Sequence, residues 1–379
     1  MSVVDVPPAV ALLAPIVEKI VGPLAPEIDR EGRYPSEALD ALGRAGLLGL
    51  VSARDVGGLG QGHRAAAVVI EELARHCAST AMVVLMHYAG TAVLEDHGPE
   101  DVRRRIAAGD YVTTLAFSEA SSRSMFWVPT STATANGAGA GVMLDAKKSW
   151  VTSAGQATGY VWSSRPVAAD GLSTIWLVPA GAAGLTVGPA FDGLGLRGNE
   201  SRPMTAEAVE VAGSARLGPD GGGFDIMLGA VLPYFQVMSA AFSIGTADAA
   251  TTKAAAHAAA TRFEHLDQSL AENPVTRHHV ARMRVKTDMA RALLLDGLAA
   301  LENGRDDAIL RVLEVKAAAS ETAVEVTDLA MRVCGGAAFR KEVGVERHFR
   351  DARASTVMAP TTDTLYDFIG RAVCGLPLF

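Results

Sequence analysis

Val112-Thr-Thr-Leu-Ala-Phe117 marks the point where this chain changes from helical to β texture. β-Branched and aromatic residues run through it. Val142-Met-Leu144, Tyr160-Val-Trp162 and Ser173-Thr-Ile-Trp-Leu-Val178 are of the same kind, set apart by Gly, Ala and Asn. Strands this short, with turn residues between them, predict a compact β-barrel or sandwich reaching to about Gly218. Upstream, Ala9 to Ile28, Ser36 to Leu48, His63 to His76 and Ser79 to His97 place apolar residues three or four apart, as amphipathic helices do. Downstream of Asp220-Gly-Gly-Gly223, long Ala- and Leu-rich helices are expected from Phe224 to Gly375. Breaks fall near Glu272-Asn-Pro274, Asn303-Gly304 and Cys334-Gly-Gly336. The fold class is α+β, with a helical domain at 1–111, a β domain at 112–218 and a four-helix bundle at 219–379.

Composition supports several domains rather than one. The 379 residues are 49% hydrophobic and 20% charged, enough to bury a large core. A formal charge of −8 disfavours nucleic acid or an anionic membrane as partner. No apolar run is expected to reach the roughly 18 residues that span a bilayer. No positive residue precedes the first apolar segment, so a secretory signal is not expected. Cys77, Cys334 and Cys374 are far apart and show no ligand spacing. The chain is therefore expected to be cytoplasmic and to hold no metal. Gly57-Gly58-Leu59-Gly60 does not fit a dinucleotide loop, because it follows no convincing strand and lacks the GxGxxG spacing.

Five stretches, in order, resemble the acyl-CoA dehydrogenase superfamily. Phe117-Ser-Glu-Ala-Ser-Ser-Arg-Ser124 is similar to its Thr-Glu-Pro-Gly-x-Gly-Ser loop. Asp145-Ala-Lys-Lys-Ser-Trp-Val-Thr-Ser-Ala-Gly155 is similar to Gly-x-Lys-x-Trp-Ile-Thr-Asn-Gly. Leu194-Gly-Leu-Arg-Gly198, Cys334-Gly-Gly336 and Val345-Glu-Arg-His-Phe-Arg-Asp351 resemble its later turns and its Val-Glu-Arg-x-x-Arg-Asp helix. The resemblance implies a helical, β, helical subunit, assembled as a homodimer or homotetramer, that binds FAD, with FMN possible. It implies that Phe117 and Ser118 meet the isoalloxazine edge, Ser124 the pyrophosphate, and Trp150 and Thr152 the ring. It further implies that Arg262 meets a neighbouring subunit's flavin phosphate and that Thr361 touches flavin from the C-terminal side. Read from the residues alone, Ser118 is equally a turn residue, Trp150 a barrel-core aromatic and Arg262 a surface arginine.

The resemblance breaks at Ser355-Thr-Val-Met-Ala-Pro-Thr-Thr-Asp363, where Ala359 stands in the slot of the family's catalytic Glu. A methyl group accepts no proton. The family's second placement for that Glu falls at Phe235, also apolar, and Asp363 lies one helical turn beyond Ala359. Some members of the superfamily are instead oxygenases that take reduced flavin from a separate reductase and form a C4a-peroxide. The expectation is therefore a two-component, FADH2-dependent monooxygenase acting on an aromatic or indole-like small molecule. It resembles the bacterial terpenoid-indole and aromatic hydroxylases of secondary metabolism. The alternatives are an acyl-CoA dehydrogenase with a displaced base and a flavin-binding protein without activity. His87, on an otherwise apolar helix, is the candidate catalytic group; its other reading is a core histidine bonded to a backbone carbonyl. Ser122, Phe126, Trp127, Phe235 and Ala359 are the candidate substrate-pocket residues, Phe126 and Trp127 being equally readable as half-buried strand residues.

Overall fold

Along residues 141–148 burial alternates residue by residue, with Val142, Leu144 and Ala146 inward and Asp145 and Lys147 outward. That period of two marks a strand with one face on a core. The computed structural model describes residues 8–123, 125–137 and 141–378. They fall into two compact units. One comprises the chain up to Val69, Met82–Gly193 and Arg197–Phe235; the other comprises Ile70–Ala81, Leu194–Leu196 and the chain from Gln236 onward. The helical region expected at 1–111 and the β region expected at 112–218 thus share most of one unit.

The helices that open the chain are α1 (Pro8–Ile16), α2 (Gly22–Glu31), α3 (Ser36–Arg44), α4 (His63–His76), α5 (Ala78–His97) and α6 (Glu100–Ala108). Eight strands follow: β1 (Thr113–Ala116), β2 (Thr132–Ala135), β3 (Gly141–Val151), β4 (Gly159–Ser164), β5 (Thr174–Pro179), β6 (Leu185–Val187), β7 (Arg202–Ala212) and β8 (Arg216–Leu217). They form two four-stranded sheets, ordered β1-β4-β5-β8 and β2-β3-β7-β6. β1 runs parallel to β4, with Thr113 beside Gly159; the remaining pairings are antiparallel, Trp162 facing Trp176 across β4 and β5. Leu144, Val151, Tyr160, Trp162, Trp176, Met204 and Val209 share the core of this region. Every residue of β4 is buried, so it is covered on both faces. α5 approaches β1 so closely at Gly90 that a Cβ there would lie 2.9 Å from Cγ2 of Thr113.

The second unit holds most of α8 (Leu232–Ala260), which continues from α7 (Gly223–Ile226), and a two-residue hairpin of β9 (Arg262–Phe263) and β10 (Gln268–Ser269). It also holds α9 (Pro274–Glu302), α10 (Ala308–Cys334), α11 (Val345–Val357) and α12 (Thr362–Val373). Five helices, α8 to α12, stand where the sequence predicts a bundle of four. Asn273 caps α9 by accepting from the amides of Val275 and Thr276, with Pro274 at the first helical position. Ala250, Ala254 and Ala258 of α8 meet Met283, Ala323, Val326, Ala330, Val345 and Ala352 in one core.

One expectation fails here. The continuous helical stretch Gly223–Ala260 is long and apolar enough to cross a bilayer, whereas no such run was expected. Its most apolar window is 72% buried inside the protein, so its length and composition serve a core helix.

Candidate functional site

The centre of the first unit's site is a buried ion pair. Nζ of Lys148 lies 2.7 Å from Oε1 of Glu119, with side chains 0% and 1% exposed. Lys148 also donates to the Ser163 carbonyl at 2.7 Å, to Oγ of Ser163 at 3.0 Å and to Oγ of Ser131 at 3.1 Å. The Glu119 carboxylate accepts in addition from the amide of Thr130 at 2.6 Å and from the hydroxyls of Thr130 and Ser131. Burial pushes the Glu119 carboxyl up, but the charge and hydrogen bond of Lys148 hold it below the usual carboxylate range. Burial brings the Lys148 ammonium down to about 8, against the pull of Glu119. Each charge is balanced inside the pair.

This pair fastens two segments together. Glu119 and Lys148 form an antiparallel backbone bridge, and the amide of Ser149 donates to the Ser118 carbonyl at 2.9 Å. The register of β3 against β7 slips between Lys148 and Val151. A slip of this kind re-aims side chains, and Trp150 takes φ +58 and stands 63% exposed, 4.2 Å from the ring of Phe191. The expected barrel-core alternative for Trp150 is excluded by that exposure. Thr152, two residues on, is buried, and its hydroxyl bonds to no described residue. Ser118 is thus brought beside the segment that carries Trp150 and Thr152, with buried Phe117 just before it. An open indole face beside an unengaged hydroxyl and a polar backbone edge fits a flat, hydrogen-bonding ring such as isoalloxazine. Ser124 lies outside the described residues.

The other aromatic residues of this loop are committed elsewhere. Phe126 lies parallel to Phe117 at 6.5 Å and edge-on to Trp127 at 5.1 Å, and all three are buried. Their rings pack on one another, which accounts for them without a bound substrate. Ser122 closes the turn, its amide donating to the Glu119 carbonyl at 3.3 Å.

The catalytic expectation for His87 is corrected. Its side chain is buried between α5 and neighbouring backbone: Nε2 lies 2.9 Å from the Leu48 carbonyl, and Nδ1 accepts from the amide of Thr113 at 3.2 Å. This arrangement assigns the proton to Nε2 and the lone pair to Nδ1, so neither nitrogen is left to move a proton. Burial lowers the imidazole to about 4 despite both hydrogen bonds, which keeps it neutral. It is a core histidine that pins β1 and the segment after α3 to α5.

In the second unit, Ala359 precedes Pro360 in a cis peptide. Nζ of Lys316, from α10, donates to the carbonyls on either side of Ala359, to Met358 at 2.9 Å and Pro360 at 2.6 Å. Lys316 is fully buried, and burial lowers its ammonium to about 7. Sequence reasoning passed over this residue, although a lysine amid Val312, Leu313, Val315 and Ala317 was a readable signal. Thr361 caps α12, accepting from the amide of Thr364 at 3.4 Å. Asp363 is exposed on the first turn of α12. Arg262 is exposed and paired with Asp267 of its own hairpin at 2.6 Å, in keeping with its surface reading. Phe235 is half-buried on α8.

Three sequence models match consecutively: "Acyl-CoA dehydrogenase, N-terminal domain" over 11–110, its middle domain over 114–209 and its C-terminal domain over 221–374. The mitochondrial short-chain specific acyl-CoA dehydrogenase of Bos taurus is 29% identical over 360 residues, covering 91% of this chain and 84% of the relative. Butyryl-CoA dehydrogenase from Megasphaera elsdenii shares the fold with a TM-score of 0.90 at 23% identity, covering 97% of each chain. An FAD complex of PigA does so with a TM-score of 0.89 at 18% identity, covering 99% of each.

Proposed function

Because the chain belongs to the acyl-CoA dehydrogenase family, we propose that it is an FAD-dependent oxidoreductase that removes two hydrogens from an acyl thioester. The observation that carries this reading is the joining of Ser118, Trp150 and Thr152 by the Glu119–Lys148 pair, within a chain matched by the family from end to end. When bound, FAD would accept the hydrogen and electron pair that leave the substrate. Trp150 would cover one part of the ring and the Thr152 hydroxyl would hydrogen-bond it, while the buried ion pair keeps both segments in register. The α-proton would need an acceptor other than the apolar residues 359 and 235, the nearest carboxylate in sequence to residue 359 being Asp363. As a homodimer or homotetramer, the protein would need Arg262 to leave Asp267 before it could serve a neighbouring subunit.

A second reading, the two-component monooxygenase, is favoured by one observation: both base positions, Ala359 and Phe235, are apolar. It loses its proposed proton donor with His87. One experiment separates the two. Protein loaded with oxidised FAD is mixed anaerobically with butyryl-CoA. Bleaching of the flavin band supports thioester oxidation. An unbleached flavin, with aromatic hydroxylation on supplying reductase, NADH and oxygen, would establish the second reading instead.

A further inference from the structure

Within the first unit, three neighbouring strands bring an aromatic pair together. In the sheet β2-β3-β7-β6, β7 separates β3, which ends at Val151, from β6, which ends at Val187. Neighbouring strands lie about 5 Å apart, so the two ends are roughly 10 Å from each other. The segment after β6 is fastened to β7 at its start. The amide of Gly188 donates to the Pro203 carbonyl at 2.8 Å, and a Cβ on Gly188 would lie 2.7 Å from Cγ of Pro203, so this approach needs glycine. Pro189 follows with its fixed φ. The turn after Thr152 closes in from the other side, where a Cβ on Gly155 would lie 3.6 Å from Cγ2 of Val187. Phe191, two residues past Pro189, reaches Trp150, with ring centroids 4.2 Å apart and planes inclined by 30°.

Stacking hides one face of a ring. Trp150 is 63% exposed with the pair formed, so the second face of its indole stays open. The backbone of Trp150 stands at φ +58 and that of Ser153 at φ +59. A residue other than glycine keeps this left-handed conformation only where its surroundings hold it. An indole standing alone on such a turn would sample several rotamers and lose that freedom on binding a flat ring. A second ring already stacked behind it removes part of that cost in advance. The core gains little from either side chain, because both remain open to solvent.

We propose that Phe191 is a positioning residue for cofactor binding: it backs the indole of Trp150, and the flavin ring lies on the opposite, open face. This rests on the FAD-binding part of the proposed function and adds to it a residue outside the motif that carries Trp150. Phe191 itself touches no cofactor, so its whole effect on affinity passes through Trp150.

The test is a double-mutant cycle on FAD affinity, read by fluorescence titration. Phe191→Ala should raise Kd about threefold, within the range of one aromatic pair. Added to Trp150→Ala, which should itself raise Kd about tenfold, it should change nothing further, whereas independent losses would multiply to about thirtyfold. Phe191→Tyr keeps the ring and should bind FAD as wild type does. Trp127, Trp162 and Trp176 are buried, so iodide quenching of the FAD-free protein reports on Trp150. It should rise in Phe191→Ala at an unchanged thermal midpoint. Multiplied losses, an unchanged or lower Kd or unaltered quenching in Phe191→Ala, or a Phe191→Tyr as weak as Phe191→Ala would each overturn this inference. The flavin reading would stand in all of these cases so long as Trp150→Ala weakens binding. An unchanged Kd in Trp150→Ala would instead remove the flavin face itself, and this inference with it.

Discussion

Glu119 and Lys148 come from segments 29 residues apart and meet at 2.7 Å with no water-exposed surface to screen them. Removing one partner leaves the other charge buried and alone, which costs about 3–5 kcal/mol. Lys148→Met and Glu119→Gln should each lower unfolding free energy by that order in denaturant titrations. The double variant should recover part of the loss. A cost below about 1 kcal/mol for Lys148→Met would mean that the pair does not organise this region.

On the proposed flavin-binding reading, Trp150 serves the cofactor rather than the fold. Its ring is mostly exposed and touches Phe191, itself exposed. Trp150→Ala should change stability by no more than about 0.5 kcal/mol. FAD affinity should fall by about tenfold, the equivalent of one aromatic contact. Fluorescence titration of FAD reads this directly, and an unchanged Kd would remove Trp150 from the flavin face.

His87 contributes to stability and does so in a pH-dependent way. Its imidazole titrates at about 4 in the folded chain and near 6.5 when unfolded. Between those values the unfolded chain holds the extra proton. The contribution of His87 is therefore complete above pH 6.5 and is lost as pH falls toward 4, at up to about 1.4 kcal/mol per unit. His87→Leu removes this dependence. At pH 8 it should cost about 2–3 kcal/mol, by leaving the Leu48 carbonyl and Thr113 amide unpaired. Denaturant midpoints at pH 8 and 5 should show the gap between wild type and variant narrowing at the lower pH. Lost turnover in a variant of unchanged stability would restore His87 to the mechanism.

Ala359→Glu places a carboxylate where the family resemblance expects one, on a turn held by Lys316. General-base assistance typically contributes about 10²–10⁴-fold. The variant should therefore raise the anaerobic rate of flavin bleaching by acyl thioesters by at least about 10²-fold. A rate equal to wild type would show that residue 359 does not face the substrate α-carbon.

Much of the architecture was legible because it is written in local periodicity. The alternation along β3, the Asn273-Pro274 cap of α9 and the left-handed glycines Gly304 and Gly335 at helix ends are all short-range signals. The meeting of the segments around Ser118 and Trp150 was legible through motif order. What was not legible depends on distant partners. His87 reads the same in sequence whether it faces a substrate or, as here, a carbonyl 39 residues away. The helix from Gly223 to Ala260 reads as less apolar than its buried environment makes it, because Gln236, Ser239 and Ser243 interrupt it. The unmatched side chains of Gln236 and Ser239 are a property of the packed bundle, and no spacing rule announces them.

Product mass after turnover tests the central claim most directly. Protein loaded with FAD is incubated with an acyl-CoA and an electron acceptor, and the thioester is weighed by mass spectrometry. Loss of two hydrogens from the acyl chain is the predicted result. An acyl-CoA returned unchanged, alongside an aromatic compound that gains one oxygen when reduced flavin and dioxygen are supplied, would contradict it.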